Sequence, residues 1–301
     1  MADTKTATGG TVLLGFSDYE PQGRRLATEL GMPFALVDIH RFPDGESKVT
    51  LPTPLPAEVV VCRSLDYPND KLVELMLCVQ TARAQGVQRI TLVAPYLCYM
   101  RQDIAFHPGE AISQQIIGRF LAGLFDAVIT VDPHLHRIER LEQAIPERQA
   151  VSLVAAPAMT EFLRQHTENP MIIGPDGESE QWVRAIAEPA GLDFAVATKE
   201  RLGDRSVRVN LPEQNYSGRT IVLVDDMAST GRTLIAVTSQ LKFRNAGPIH
   251  CLVTHALFAD DATRQLHEAG IEHIWSTDSI THASNVIHLA PMLADAVRSI
   301  D

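Results

Sequence analysis

Short apolar runs recur along this chain, with longer amphipathic stretches between them. The runs are Thr11–Phe16, Val59–Cys62, Ile90–Ala94, Ala127–Val131, Met171–Ile173, Thr220–Val224 and His250–Thr254. Such runs read as buried strands. The stretches Asp70–Gln85, Ala111–Leu124, Ala155–His166, Glu178–Ala190 and Thr233–Asn245 have helical character, and Gly247 follows the last of them as a C-terminal stop would. Strands alternating with helices predict an α/β fold with parallel sheets covered on both faces. In such sheets ligands bind at the carboxyl ends of the strands, so the residues just after each run matter most.

A chain of 301 residues is long for one domain and comfortable for two. The seam is predicted near the charged Pro146–Val151 turn, giving domains 1–149 and 150–289. Each half carries a strand running into a charged loop and then a helix. No run approaches membrane-spanning length, and the polar start does not read as a signal peptide. Cys62, Cys78, Cys98 and Cys251 form no paired motif, so a reducing cytoplasm is the default expectation. A net charge of −11 argues against a general nucleic-acid binder. Polyphosphate binding would then need local cations or helix N-termini.

The sharpest motif is TIVLVDDMASTGRTL, Thr220–Leu234. An apolar run ends at Asp225 and Asp226, and a small hydroxyl-rich turn leads into a helix. That turn offers backbone N–H groups and the hydroxyls of Ser229, Thr230 and Thr233 to a phosphate. Two carboxylates accept hydrogen bonds from adjacent sugar hydroxyls. Phosphate at one end and a diol at the other describe a phosphorylated ribose. The segment resembles the phosphoribosyl-diphosphate loop of the type I phosphoribosyltransferase fold. That resemblance implies that Asp225 and Asp226 hold the ribose 2- and 3-hydroxyls, while Ser229, Thr230, Gly231, Arg232 and Thr233 wrap the 5-phosphate. The loop alone does not separate phosphoribosyltransferases from the synthetase that makes their substrate, and Arg232 stands where synthetases usually carry glycine.

A second motif, PYLCYMRQDIAFHPGEAIS at Pro95–Ser113, decides between them. It resembles the segment of phosphoribosyl-diphosphate synthetases built on Tyr-x-x-Tyr-x-Arg-Gln-Asp. Arg101 is a rigid fork suited to phosphate oxygens, with Gln102 and Asp103 orienting the nucleotide or bracing Arg101. RFPDGE, Arg41–Glu46, resembles a loop that reaches into a neighbouring subunit's ATP site in that family. This implies Phe42 stacked on adenine, Asp44 and Glu46 accepting hydrogen bonds, and a homo-oligomer, a dimer or higher, sharing the site. In TVDPHLHR, Thr130–Arg137, Asp132 and His134 match the family's Asp-x-His near magnesium and the β-phosphate, whereas His136 has no match and reads as surface. In IIGPDGESEQWVR, Ile172–Arg184, Asp176 matches a magnesium-coordinating aspartate. Lys199 and Arg201, in TKERLGDRSVR, match the spacing of a catalytic pair on a mobile loop.

These segments run in the family's order from Thr11 to Ile300. The resemblance implies two tandem type I phosphoribosyltransferase-like domains, with the last helix (290–301) returning to the first. It implies ATP and ribose 5-phosphate as substrates, Mg2+ as cofactor, and Lys199, Arg201 and His134 as catalytic groups. The alternatives are a phosphoribosyltransferase without an ATP site and a catalytically inactive regulatory homologue.

Overall fold

The computed structural model of the protein describes residues 10–135, 137–201, 207–259 and 261–300. The chain forms two compact units. The first takes in everything up to Leu153 and the segment from Ala290 onward, and the second runs from Val154 to Leu289.

The first unit contains β1 (Val12–Gly15), α1 (Glu20–Leu30), β2 (Phe34–Leu36), β3 (Asp38–Arg41), β4 (Ser47–Thr50), β5 (Glu58–Cys62), α2 (Pro68–Ala84), β6 (Arg89–Val93), α3 (Ser113–Leu124), β7 (Ala127–Val131) and β8 (Gln149–Leu153). The main sheet has the order β2-β1-β5-β6-β7-β8, and every pairing in it is parallel. β3 and β4 stand apart as an antiparallel hairpin. Because β8 pairs along its whole length with β7, the division of the chain comes after Leu153.

The second unit holds α4 (Ala156–His166), β9 (Met171–Gly174), α5 (Glu180–Ala190), β10 (Phe194–Val196), β11 (Thr198–Arg201), β12 (Val207–Asn210), β13 (Ile221–Ala228), α6 (Arg232–Phe243), β14 (Ile249–Ala256), α7 (Ala262–Ala269), β15 (His273–Thr277) and β16 (Asn285–Ile287). Its parallel sheet runs β10-β9-β13-β14-β15-β16, and β11 and β12 form a second hairpin. The final helix α8 (Ala290–Ser299) packs on α1 in the first unit, where the Arg298 guanidinium donates to the Glu29 carbonyl.

The two units are thus one topology used twice. Local details repeat as well: Arg24 lies 4.4 Å over the ring of Phe34, and Arg184 lies 5.0 Å over that of Phe194. Parallel strands are covered on both faces, so their residues are apolar throughout rather than alternating. β6, β7, β9 and the first half of β13 are buried almost end to end.

The sequence places the end of α6 at Gly247, but the left-handed residue that follows the helix is Asn245, with φ 56°. The Ala246 N–H returns to the Leu241 carbonyl there. Gly247 serves another purpose, since a Cβ at that position would meet the Gly218 carbonyl oxygen at 2.9 Å. The four cysteines are all buried and reduced. Burial pushes the Cys78 and Cys98 thiols up to about 12. No helix among the described residues is long and apolar enough to cross a membrane.

On the second sheet His250 stands directly opposite His273, with ring centroids 5.2 Å apart, and beside Trp275 at 4.7 Å. Burial lowers the His250 pKa, His273 lowers it further, and Glu272 opposes them. A histidine whose folded pKa is depressed binds protons less readily than in the unfolded chain. Its contribution is intact above the unfolded value near 6.5 and is lost as pH falls through the window below it. Thermal unfolding is therefore expected at lower temperature at pH 5.5 than at pH 7.5, with a smaller difference in His250→Phe. An equal pH difference in both proteins would show that His250 does not carry the effect.

Candidate active site

In the second sheet, the connection from β9 leads outward to β10, while β13 lies on the other side of β9. The crevice between β9 and β13 is the topological switch point, where open parallel sheets bind ligands. The β9–β13 ladder ends at Ile173 and Leu223. Beyond it β13 continues, contrary to the sequence expectation that it ends at Val224. Asp225, Met227 and Ala228 stay in register with Val253, His255 and Ala256 of the equally long β14. The carboxylates therefore sit on a strand with one free edge, which fixes their backbone more firmly than a loop would.

Asp226 is 2% exposed, and its N–H donates to Asp225 Oδ1 at 3.0 Å. Burial raises the Asp225 pKa well above the usual carboxylate range, and repulsion from Asp226 and from Asp176 adds to the shift. Asp176 follows β9 across the crevice. Its Oδ1 accepts the Glu178 N–H at 3.1 Å and so caps the short turn before α5. Glu180 opens α5 and pairs with Arg184 at 2.8 Å. Three carboxylates at one switch point form an acidic crevice suited to O–H donors or to a cation.

The turn after β13 leads to Gly231, with φ 69°, and α6 begins at Arg232. An added Cβ at Gly231 would combine left-handed strain with contacts of 3.2 Å to Leu266. Ser229 is half-buried, Thr230 and Arg232 are exposed, and Thr233 lies in the first turn of α6. The first N–H groups of a helix have no partner within it, so this end can receive an anion. Lys199 and Arg201 occupy alternate positions of β11, in register with Val209 and Val207. Their side chains, and residues 202–206, lie outside the described residues.

In the first unit, Arg101 is exposed, Gln102 is half-buried and Asp103 is buried. Asp103 Oδ1 accepts from Arg137 Nη1 at 2.6 Å, so this aspartate ties the loop after β6 to the one after β7. Gln114, at the start of α3, closes the same loop, its N–H donating to the Gln102 carbonyl and its Nε2 to that of Met100. Asp132 directly follows β7, is 7% exposed, and holds φ 38°, an unfavourable conformation for a residue with a Cβ. Its N–H donates to the Leu153 carbonyl at 2.9 Å. His134 is half-buried, and His136 lies outside the described residues.

Phe42, 41% exposed, sits at the tip of the β3–β4 hairpin with Asp44 and Glu46. The loop is closed by the Phe42 N–H donating to the Glu46 carbonyl at 2.8 Å and the Glu46 N–H donating to Asp44 Oδ1 at 3.2 Å. His40 meets the Phe42 ring edge-on at 4.7 Å, leaving an aromatic surface in a turn closed by these hydrogen bonds.

Comparison with known proteins assigns both units. Residues 11–124 match the N-terminal domain of ribose phosphate pyrophosphokinase, and residues 145–294 match the phosphoribosyl transferase domain. A protein from Methanopyrus kandleri, named ribose-phosphate pyrophosphokinase, is 35% identical over 292 residues, 96% of this chain and 99% of its own. The chain belongs to the ribose-phosphate pyrophosphokinase family. A second member, from Sulfurisphaera tokodaii, is 31% identical over 95% of this chain and 98% of its own. The crystal structure of phosphoribosylpyrophosphate synthetase from Mycobacterium smegmatis shares the fold, with a TM-score of 0.81 over 97% of this chain and 98% of that one at 22% identity. The match of residues 11–124 to that N-terminal domain sets this chain apart from a phosphoribosyltransferase that lacks it.

Among the described residues, no three His, Cys, Asp or Glu side chains are grouped as a metal cage. The mutual repulsion of Asp225, Asp226 and Asp176 is what a bound cation would relieve. Sequence reading missed the charged residues behind the hairpin, Arg63 and Glu74. The available signal was Arg63 itself, a basic residue immediately after the apolar run of β5.

Proposed function

We propose that the protein transfers the diphosphoryl group of ATP to the 1-hydroxyl of ribose 5-phosphate, giving 5-phosphoribosyl 1-diphosphate and AMP. The end-to-end match to a ribose-phosphate pyrophosphokinase carries this reading. The sugar phosphate binds in the second unit, its diol on Asp225 and Asp226 and its 5-phosphate on the Ser229–Thr233 turn. The adenine binds the Phe42 loop, with Asp44 and Glu46 accepting hydrogen bonds, and Arg101 and Gln102 engage the phosphates. Asp103 holds that loop in place through Arg137. The ribose 1-oxygen attacks the β-phosphorus, the bond from that phosphorus to the α-phosphate oxygen breaks, and the hydroxyl proton passes to solvent.

Such transfers depend on positioning and charge stabilisation rather than on a covalent nucleophile. Lys199 and Arg201 supply the stabilising charge and His134 stands beside the β-phosphate. Magnesium would supply charge neutralisation when bound: in the first unit Asp132 and His134 would hold it, and in the second unit Asp176 would, directly or through water. Incubation with magnesium, ATP and ribose 5-phosphate tests the reading by release of AMP. No AMP above a ribose-free control would leave an inactive regulatory homologue in its place.

The hairpin position of Phe42 supports an adenine site shared with a neighbouring subunit in a homo-oligomer. Phe42→Ala is expected to weaken ATP binding by about 1–3 kcal/mol, as loss of a stacking aromatic does. Ribose 5-phosphate binding stays unchanged. Full activity in a strictly monomeric enzyme would refute the shared site.

A further inference from the structure

The first unit repeats the strand order of the second, so it has its own switch point, between β1 and β5. Matching the two ladders puts Arg63 where the second unit has Asp225. Here the crevice is filled by the chain's own charges. Arg63 is 4% exposed, with Nε 3.2 Å from both oxygens of Asp18 and Nη2 2.7 Å from Glu74 Oε2. Lys71 closes the far side, 3.0 Å from Asp18 and 2.7 Å from Asp66.

Glu74, 0% exposed, links this buried cluster to the hairpin. Its Oε1 accepts from Ser47 Oγ at 2.9 Å and from Arg41 Nη2 at 3.3 Å, while Arg41 Nη1 donates to Asp70 at 2.9 Å. Arg41 and Ser47 are the last register pair of β3 and β4, flanking the loop on either side. One carboxylate, fixed from behind by Arg63, therefore holds both stems of the loop that carries Phe42, Asp44 and Glu46.

Stability alone does not account for this arrangement. Replacing a buried ion pair by apolar side chains is often neutral or stabilising, and apolar residues would close the crevice equally well. They would not reach two polar stems at once. A two-stranded hairpin has little stability of its own, so its tip needs an external anchor to keep one direction.

We infer that Glu74 is a positioning residue for nucleotide binding, setting through Arg41 and Ser47 the direction in which the Phe42–Glu46 loop is presented. The inference rests on the reading of that loop as the adenine contact.

Steady-state kinetics of Glu74→Gln, the double variant Arg41→Met/Ser47→Ala, and Phe42→Ala as reference test it. Both anchor variants are expected to raise the KM for ATP about tenfold, the effect of losing one charge-assisted hydrogen bond. Their kcat and their KM for ribose 5-phosphate stay within about threefold of wild type. A general loss of folding would instead lower activity without this split. The conservative pair Arg41→Lys/Ser47→Thr, which keeps both donors, restores most of the ATP affinity. Should Glu74→Gln fail to fold, the double variant decides alone, because the Arg41 side chain is 57% exposed and its loss leaves the buried pair intact. A wild-type ATP KM in the double variant together with a raised one in Phe42→Ala overturns the inference while leaving the loop's role standing. A wild-type ATP KM in Phe42→Ala as well overturns both.

Discussion

Lys199→Ala and Arg201→Ala will each lower kcat by about 10²–10³, with small changes in the KM of either substrate. Charge on the transferring phosphates shifts as the reaction proceeds, and a cation aimed at the transition state raises rate more than affinity. Losing one preorganised donor of this kind has about that effect. Both residues lie on β11, two positions apart. The β11–β12 hairpin repeats in the second unit the place of β3–β4 in the first, so each unit carries one hairpin directly after the edge strand of its sheet. A solvated surface charge, by contrast, contributes little. A kcat within about threefold of wild type in both variants would move the catalytic charge elsewhere, with Arg101 the next residue to test.

The second large effect concerns the sugar. A site built to hydrogen-bond a hydroxyl rejects the analogue lacking it by on the order of 10⁴ in kcat/KM, and 2-deoxyribose 5-phosphate is expected to be discriminated against by that factor. Asp225→Ala should raise the KM for ribose 5-phosphate by about 10- to 100-fold, the range for a hydrogen bond to a charged group. Asp225 is half-buried beside Asp226 and Asp176, and desolvation and their charges disfavour its ionised form until donors arrive. A sugar diol brings two O–H donors into that crevice. Equal turnover of the deoxy sugar and of ribose 5-phosphate would remove Asp225 and Asp226 from this role.

The candidate site could be marked in the sequence wherever polar residues follow directly on an apolar run. Asp225, Asp132 and Asp176 all stand at or just past the strands that the sequence marks. The continuation of β13 to Ala228 was not legible, because Asp-Asp-Met-Ala reads as a strand end unless a partner as long as β14 supplies the ladder. β2 and β10, three residues each, are too short to register as apolar runs, and β8 and β16 are too polar. The Asp18–Arg63–Glu74 cluster was hidden for a different reason. Its members come from the short turn after β1, the residue after β5 and the middle of α2, and only the sheet order brings them together. Asp103 was read as a nucleotide contact or a brace for Arg101. Its partner Arg137 lies 34 residues away, across the β6–β7 ladder.

The sulphur atoms of this protein have a consequence for its life in an oxidising cell. Cys62, Cys78, Cys98 and Cys251 lie on β5, in α2, in the loop after β6 and on β14, all buried. Peroxide and alkylating reagents attack the thiolate, and thiols held near 12 provide almost none at neutral pH. Oxidative damage at Cys78 and Cys98 is therefore gated by unfolding rather than by exposure to oxidant, and a chain found modified at either thiol has already opened.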